Sequence, residues 1–290
     1  MAKTINEAFE IFHSRLTPTK TESENAKKHR MSIKACVEAN FGLNRFFRTG
    51  SFGNGTSIAG YSDVDYFASI PRKNLKKNSF STLTSLKDAL DKRFPETGIR
   101  ISSPAVVVPF GNDVSETTEI VPADFIKRNQ YRRHVYDIPN RQGTWKRVSP
   151  DAHNAYVSRY NKRLSEKLKP LIRFIKAWKF YRNIPILSFY LELFVTKHAS
   201  NEKTIIYPID IKTILKKLND NKLTNIKDPM GISGYISACS SLEKKKESLA
   251  GLKRALTRVE YALAANKDGK IDDAFYWWKK VYADNFPSYY

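Results

Sequence analysis

The sequence predicts an α+β fold in which a mixed α/β first half is followed by a helical second half. Short β-prone stretches bounded by Gly, Pro or Asn occupy residues 43–125, whereas apolar residues at helical spacing dominate from about Asp151 onward. A chain of 290 residues also exceeds the ~150 of a typical domain. We therefore expect two lobes, residues 1–150 with N-terminal helices and a sheet, and residues 151–290 as a helical lobe.

Two helices are predicted before the first strand. In residues 5–16 the apolar side chains recur at helical spacing, and Pro18 ends the pattern. The next apolar positions, Ile33, Val37 and Phe41 among them, share one face of a longer helix that ends near Phe41. Four strands are then predicted over 43–52, 62–71, 99–110 and 117–125, with one helix over 81–95 between the second and third.

Composition and charge favour a soluble globular protein that binds polyanions. Hydrophobic residues make up 41% and charged residues 27%, with a net charge of +21. Such a surface attracts nucleic acid, nucleotides or anionic lipid, although most basic clusters are typical of solvated helix faces. The two cysteines cannot build a zinc site and fit a reduced compartment. The N-terminus does not resemble a signal peptide and no apolar run approaches a membrane span, so we expect a cytoplasmic protein without a membrane partner.

The segment GSFGNGTSIAGYSDVDY, residues 50–66, carries the clearest chemistry. Asp63 and Asp65 are two residues apart on a predicted strand, so their carboxylates project from one face. Two such groups repel unless a cation lies between them, and a hard divalent ion such as Mg²⁺ takes oxygen ligands together with substrate phosphates. The Gly50-Ser51 turn offers backbone N–H groups and a hydroxyl that suit a phosphate tail. The motif predicts a nucleotide-phosphate site.

A third carboxylate on a neighbouring strand would complete a two-metal site, in which one ion activates the attacking hydroxyl and the other stabilises the leaving pyrophosphate. Glu119 in TTEIVPADF is the preferred candidate. Asp124, five residues later, lies on the opposite face of a straight strand but is an alternative if VPA bends the chain.

These residues resemble a known family. The first segment is similar to the GS…DxD signature of the polymerase-β-like nucleotidyltransferases. TEIVPA, YDIPNRQGTWKRVSPDAHN, LIRFIKAWK and ILSFYLELFV resemble the bacterial cGAS/DncV-like nucleotidyltransferases, or CD-NTases, over residues 40–240. The resemblance implies a polymerase-β-like core, a mixed sheet with flanking helices, packed on a C-terminal helical bundle with a long N-terminal helix as spine.

The resemblance also implies roles in the first lobe. Gly50 and Ser51 match the phosphate-binding pair, and Asp63, Asp65 and Glu119 match the catalytic acids that bind two Mg²⁺ (or Mn²⁺) ions. The family more often has Asp at the third position; Glu is longer by a methylene and can still be a metal ligand.

In the second lobe, Lys176 and Ser188 match residues that contact the triphosphate, and Phe189 matches an aromatic residue that stacks on a base. The residue types allow simpler interpretations, namely a solvated lysine, a helix cap and core packing. Tyr136 and Asn140 are the candidates for a pocket lid.

The activity implied by the resemblance is synthesis of a cyclic di- or trinucleotide second messenger from NTPs, ATP and GTP among them, in anti-phage defence (CBASS). The partners it implies are an effector that recognises the cyclic product and a nucleic-acid activator bound through the basic surface. A template-independent RNA-tailing or linear-oligonucleotide polymerase would use the same catalytic residues, and a non-catalytic nucleic-acid-binding module is the third alternative. Ring closure is implied by the resemblance alone.

Overall fold

A computed structural model describes residues 2–18, 20–60, 63–110 and 116–290 of the chain. The helices are α1 Ile5–Leu16, α2 Lys20–Phe41, α3 Gly50–Asn54, α4 Ser79–Arg93, α5 Pro150–Arg163, α6 Leu168–Tyr181, α7 Ser188–Ala199, α8 Tyr207–Asp220, α9 Leu242–Lys267 and α10 Ile271–Val281. The strands are β1 Arg45–Arg48, β2 Val64–Ser69, β3 Arg100–Ser102, β4 Ala105–Phe110, β5 Glu116–Arg128, β6 His134–Pro139, β7 Trp145–Val148, β8 Ile226–Lys227 and β9 Tyr235–Ile236. The predicted α+β class is confirmed.

The chain forms two compact units. One unit is Pro18–Ala155, and the other combines Met1–Thr17 with Tyr156–Tyr290. The sequence predicts a division at residue 150 and groups α1 with the first lobe. Helix α1 instead packs with the C-terminal helices, because Phe9 meets Phe174 edge to face at 5.0 Å and Trp278 at 5.0 Å.

A mixed sheet organises the unit Pro18–Ala155. Within the described chain its seven strands run β1-β2-β5-β4-β3, with β6 paired to β5 and β7 to β6. Strands β2 and β5 are parallel, and the other pairs are antiparallel. One face of this sheet is covered by apolar side chains of α2 and α4, including Ile33, Val37, Leu83, Leu86 and Leu90. Burying each such side chain contributes about 1.5–3 kcal/mol. The packed face therefore stabilises the sheet and fixes the positions of the residues on its opposite face.

Strand β5 is longer than the sequence predicts. It runs for 13 residues through the VPA segment without a break in pairing, and its irregularity comes later, between Phe125 and Lys127. Strand pairing therefore continues through VPA, which removes the condition under which Asp124 was an alternative to Glu119. The sequence analysis also did not predict the hairpins β6–β7 and β8–β9. Their strands are short, and charged residues or proline interrupt the apolar–polar alternation that would indicate a strand. None of the helices in the described ranges has the length and apolarity needed to cross a membrane.

A polar cluster fastens β1, β6 and α5 to one another. Arg45 donates from Nη1 to Asp151 Oδ2 at 2.7 Å and from Nη2 to Oδ1 at 3.2 Å, and His134 Nδ1 lies 2.9 Å from the same carboxylate. Burial raises the pKa of Asp151, but the hydrogen bonds and charges of Arg45 and His134 outweigh it and hold that pKa below its ordinary value.

Replacing Asp151 by asparagine should therefore destabilise the protein in a pH-dependent way. With Arg45 39% exposed, we expect a loss of about 1–2 kcal/mol in the free energy of unfolding at neutral pH. A carboxyl whose pKa is lowered by folding contributes stability above its unfolded pKa of about 3.9 and loses it as pH falls through the folded value. Urea unfolding of both proteins checks this: the difference should be constant from about pH 7 to 5 and shrink below about pH 4. A difference that persists undiminished at about pH 2 would contradict the ion pair as its cause.

Candidate active site

Strand register brings the acidic residues of two distant segments together. Asp65 on β2 is the pairing partner of Glu119 on β5. Glu119 in turn pairs with Val107 on β4, and Val107 pairs with Arg100 on β3. Because directly paired residues project from the same face of a sheet, Asp65, Glu119 and Arg100 form one row across three strand pairs.

The three predicted acids influence one another directly. Burial raises the pKa of Glu119 and the charge of Asp63 raises it further; the charge of Arg100 and a hydrogen bond with Asp65 oppose this without reversing it. Asp63 is exposed and directly precedes β2, whereas Asp65 and Glu119 are half-buried. The structure therefore places Asp63, Asp65 and Glu119 at one locus, where burial and the charge of Asp63 raise the pKa of Glu119.

The donor set fits a hard divalent cation by its chemistry. It consists of carboxylate oxygens whose mutual repulsion raises the pKa of Glu119, and a bound cation would relieve that repulsion. In the part of the chain that the structure describes, no group of three or more His, Cys, Asp or Glu is already arranged around a metal position. Metal binding would therefore require the Asp65 and Glu119 side chains to exchange their hydrogen bond for the ion.

Asp124 is engaged elsewhere. Its carboxylate lies 3.1 Å from Arg72 Nη1 and it pairs across β5 and β6 with Asp137. Five residues from Glu119 on a continuous strand, it projects from the opposite face. Of the two candidates for the third acid, Glu119 is the one beside Asp65.

The Gly50-Ser51 segment is packed against Asp65. The sequence predicts a turn here, and the structure forms the short helix α3 from Gly50 to Asn54. Gly50 has φ +56°, and a Cβ added to it would overlap the Asp65 carboxylate. Thr49 donates its backbone N–H to the Asp65 carbonyl at 2.8 Å. Glycine is thus required twice at this position, by backbone conformation and by space.

The predicted residues of the helical unit differ in their accessibility. Lys176 is 1% exposed, and its Nζ lies 3.9 Å from Glu192 Oε2. Ser188 begins α7 and accepts a hydrogen bond from Lys179 Nζ at 2.9 Å. Phe189 is 44% exposed, so it is not a buried core residue. The sequence analysis did not single out Lys179. The signal that could have distinguished the two lysines is Glu192, an acidic residue within an apolar helix, because a buried acid needs a basic partner and Lys176 supplies it.

The residues predicted to form a lid have structural roles instead. Tyr136 is buried and its hydroxyl accepts a hydrogen bond from Arg45 Nη1 at 3.2 Å. The Asn140 Oδ1 accepts from the backbone N–H groups of Gln142 and Thr144 at 2.9 and 3.0 Å, which fixes the β6–β7 turn. The lid assignment is wrong for the buried Tyr136.

Arg100 is a further charged residue of this row that the sequence did not single out. It is exposed and its charge acts on Glu119. Its place becomes evident only through two successive strand pairings, β3 with β4 and β4 with β5. Because the Arg100 guanidinium lies in the same row as Asp65 and Glu119, it could bind an anionic group placed over this face of the sheet.

Comparison with known proteins identifies the family. The model of the Second Messenger Oligonucleotide or Dinucleotide Synthetase domain (SMODS) matches residues 3–161, more than half of the chain. A curated relative from Bacillus cereus (strain VD146), the probable cyclic nucleotide synthase IK1_05630, is 29% identical over 175 residues, which cover 59% of this chain and 52% of the relative. The chain thus matches about half the length of this relative.

Solved structures share the fold. The Escherichia coli MS115-1 CdnC structure with ATP aligns with a TM-score of 0.75 at 17% identity, covering 97% of this chain and 98% of CdnC. Vibrio cholerae DncV cyclic AMP-GMP synthase, in complex with the linear intermediate 5′ pppA(3′,5′)pG, aligns with a TM-score of 0.76 at 11% identity, covering 95% and 93%. The chain belongs to the family of second messenger oligonucleotide or dinucleotide synthetase domains and is a member of the cGAS/DncV-like nucleotidyltransferases.

Proposed function

We propose that this protein joins nucleoside triphosphates with release of pyrophosphate and closes the linear product into a cyclic di- or trinucleotide. The observation that carries the proposal is the pairing of Asp65 with Glu119, with Asp63 and Gly50 at the same locus. The family of the chain and the linear intermediate bound to Vibrio cholerae DncV support the choice of product class. ATP and GTP are the proposed substrates.

In the mechanism, Gly50 and Ser51 hold the phosphates of the donor nucleotide beside Asp65. Asp63, Asp65 and Glu119 would hold two Mg²⁺ (or Mn²⁺) ions, which supply neutralisation of phosphate charge and activation of the attacking hydroxyl. The ribose hydroxyl of a second nucleotide attacks the α-phosphorus; the new P–O bond forms as the bond to pyrophosphate breaks. Glu119, which pairs with Asp65 across β2 and β5, is suited by its position to accept the hydroxyl proton. Positioning and charge neutralisation account for most of the acceleration.

Product analysis tests this proposal. The purified protein is incubated with labelled NTPs and Mg²⁺ or Mn²⁺, treated with phosphatase and examined by mass spectrometry. We expect a phosphatase-resistant product with the mass of a cyclic di- or trinucleotide, and none from the Asp63→Asn/Asp65→Asn variant. Linear ladders, or product formed only on added RNA, would overturn it in favour of a tailing polymerase; absence of product with NTPs, with RNA and with DNA would favour a non-catalytic module.

Lys179 and Ser188 are proposed as the phosphate-contacting pair of the helical unit, in place of Lys176. Lys179 is half-buried and already hydrogen-bonded to Ser188, whereas Lys176 is buried against Glu192. Phe189 is proposed to stack on a base, since its ring is exposed.

Substitutions separate the two lysines. Lys179→Ala should raise the KM for NTP about tenfold, the effect of one lost charge-assisted contact of ~1.4 kcal/mol, without lowering the melting temperature. Lys176→Ala should instead lower the free energy of unfolding by about 3–5 kcal/mol, because it removes one partner of a buried ion pair. Steady-state kinetics and urea unfolding of both variants check this; a large KM effect confined to Lys176→Ala would restore the original assignment.

Arg100 is proposed to contact a phosphate group of the acceptor nucleotide. Its row on the sheet passes through Glu119, where the attacking hydroxyl would lie. We expect Arg100→Gln to raise the KM of a linear dinucleotide intermediate about tenfold, with the melting temperature unchanged because the side chain is exposed. Arg93→Gln, on α4 of the same unit, is the control. Equal kinetics of the two variants would contradict the role.

The biological setting is proposed from the family. A cyclic product would act on an effector protein in anti-phage defence (CBASS), in the cytoplasm, and the Escherichia coli CdnC:HORMA-deltaN complex supports a protein partner as well. Plaque assays on cells that carry the gene with its neighbours, compared with the Asp63→Asn/Asp65→Asn variant, test the defence role; equal plaque numbers would contradict it.

A further inference from the structure

Helix α3 crosses the end of strands β1 and β2 and contacts both faces of the sheet. At its start, Gly50 lies against the carboxylate of Asp65. Two residues later, Phe52 packs on the apolar cluster that contains Tyr66. Asp65 and Tyr66 are consecutive on β2, so their side chains project to opposite faces. The helix that carries the Gly50-Ser51 segment is therefore held from the front by one contact and from the rear by another.

Arg48, the last residue of β1, makes the contact at the rear. It pairs with Tyr66 across β1 and β2, which places both side chains on the same face. Its Nε donates to the Tyr66 hydroxyl at 3.1 Å, and its Cζ lies 6.0 Å from the centre of the Tyr66 ring and 5.8 Å from that of Phe52. Both distances are within the range of about 6 Å over which an aromatic face attracts a cation. The guanidinium thus joins β2 to α3.

The surroundings of Arg48 differ from those of an arginine that serves stability alone. Tyr66 is fully buried and stacks on Phe46 at 5.0 Å, so it is a fixed support. In the described ranges the Nη2 atom of Arg48 is buried without a hydrogen-bond partner. By contrast, Arg45 on the same strand directs its guanidinium to the Asp151 carboxylate. A buried N–H group without an acceptor costs free energy, so stability by itself does not favour arginine at position 48.

The backbone of α3 is also close to Arg48. The Gly53 N–H donates to the Thr49 carbonyl at 2.9 Å, and a Cβ added to Gly53 would lie 2.9 Å from the Arg48 carbonyl oxygen. The Thr49 N–H donates to the Asp65 carbonyl at 2.8 Å. Only Thr49 separates β1 from α3. A movement of α3 on Arg48 would therefore be transmitted directly to the contact between Gly50 and Asp65.

We propose that Arg48 is a positioning residue for the phosphate-binding segment. Its guanidinium, lying over the Phe52 ring, holds α3 on the strands so that Gly50 and Ser51 stay beside Asp65 before a nucleotide arrives. The consequence for nucleotide binding rests on the proposed function, whereas the placement of α3 does not. Because Arg48 acts on the segment and not on the reacting atoms, it should affect nucleotide affinity more than the rate of the chemical step.

The test compares substitutions of two arginines on the same strand. Arg48→Met removes the guanidinium and keeps an apolar stem, and Arg48→Lys returns a cation. Arg45→Met is the control, because the Arg45 guanidinium also lies over a ring, that of Phe47 at 3.8 Å. Backbone amide hydrogen exchange without nucleotide is followed by mass spectrometry in peptides covering 49–56 and 64–69. Calorimetry gives the Kd of an ATP analogue with a methylene bridge between the α- and β-phosphates, and pyrophosphate release gives kcat and KM.

We expect Arg48→Met to release α3 without unfolding the sheet. Exchange in 49–56 should be at least about tenfold faster than in the wild-type protein, with exchange in 64–69 unchanged. If about a tenth of the molecules hold the segment in place, the analogue Kd and the KM for NTP rise about tenfold. At saturating NTP the bound phosphates keep the segment in place, so kcat should stay within about twofold. Arg48→Lys should recover at least about half of the loss on a logarithmic scale, and Arg45→Met should leave 49–56 and the Kd near wild type.

Three results would overturn the role of Arg48. They are unchanged exchange in 49–56 in Arg48→Met, equal acceleration there in Arg45→Met, and an Arg48→Lys variant no better than Arg48→Met. If Arg48→Met does not fold, Phe52→Leu, which removes the ring beneath the guanidinium, takes its place and should accelerate exchange in the same segment. A wild-type protein that binds no nucleotide would count against the proposed function, and the exchange comparison would still decide whether Arg48 holds α3.

Discussion

Replacing Asp63 and Asp65 together by asparagine should reduce pyrophosphate release by at least about 10³-fold. Phosphoryl transfer depends on neutralising charge at the attacking and leaving oxygens, and loss of several kcal/mol of that stabilisation corresponds to about three powers of ten or more. Asparagine keeps the size of each side chain but removes the negative charge that attracts a divalent ion. A coupled pyrophosphate assay at saturating NTP and Mg²⁺ measures the loss.

The same variant should have nearly the stability of the wild-type protein. The charge of Asp63 raises the pKa of Glu119, and a carboxyl whose pKa is raised by folding opposes folding once it is ionised, at pH values above its unfolded pKa of about 4.3. Removing the charge of Asp63 relieves this penalty, whereas replacing Asp65 alters a hydrogen bond that acts in the opposite direction, so the free energy of unfolding at neutral pH should change by no more than about 1 kcal/mol. Loss of activity together with retained stability would show that the acids serve chemistry and not the fold.

A matched control removes two carboxylates from elsewhere in the same unit. Asp88→Asn/Asp91→Asn alters the accessible side of α4, where Asp91 pairs with Lys87, and should leave pyrophosphate release within about twofold. If the control loses as much activity as the Asp63→Asn/Asp65→Asn variant, net charge would be the cause. Near-normal turnover by the latter variant would overturn the assignment of these acids to catalysis.

The first pair of acids could be predicted from a local property of the sequence. The two-residue period of a strand predicts that Asp63 and Asp65 share a face; in the structure Asp65 lies on β2 and Asp63 directly precedes it. Glu119 required one further step, the parallel pairing of β2 with β5. Family resemblance supplied that step, since the sequence pattern alone left Asp124 as an alternative.

The features that depend on packing between distant segments could not be predicted. Lys176 and Lys179 are one helical turn apart, and only the position of Glu192 shows which of them is buried. Arg100 joins the acids through two strand pairings. Helix α1 has the apolar face of any amphipathic helix, and its periodicity does not say that Phe174 and Trp278 will cover it.

Replacing Gly50 by alanine is the second change for which we expect a large loss of activity. This substitution tests whether the Gly-Ser segment acts through Asp65. A Cβ at this position would overlap the Asp65 carboxylate, so that either the strand end or the carboxylate must move. Displacements of about 1 Å in a catalytic group can cost about 10²-fold in rate. We expect Gly50→Ala to lower kcat by about that factor, with a smaller change in KM.

Alanine at Gly50 also carries backbone strain, since φ is +56° and an L-residue there costs about 1–2 kcal/mol. Gly98 provides the control for this cost: its φ is +70°, and a Cβ would meet no atom within 4 Å. Gly98→Ala should therefore lose similar stability in urea unfolding while retaining full kcat. The difference in kcat between the two variants isolates the contact with Asp65 from the strain. Equal kcat values would mean that the Gly50 position is required only for the turn of the backbone, and that phosphate binding by this segment does not depend on its contact with the carboxylate.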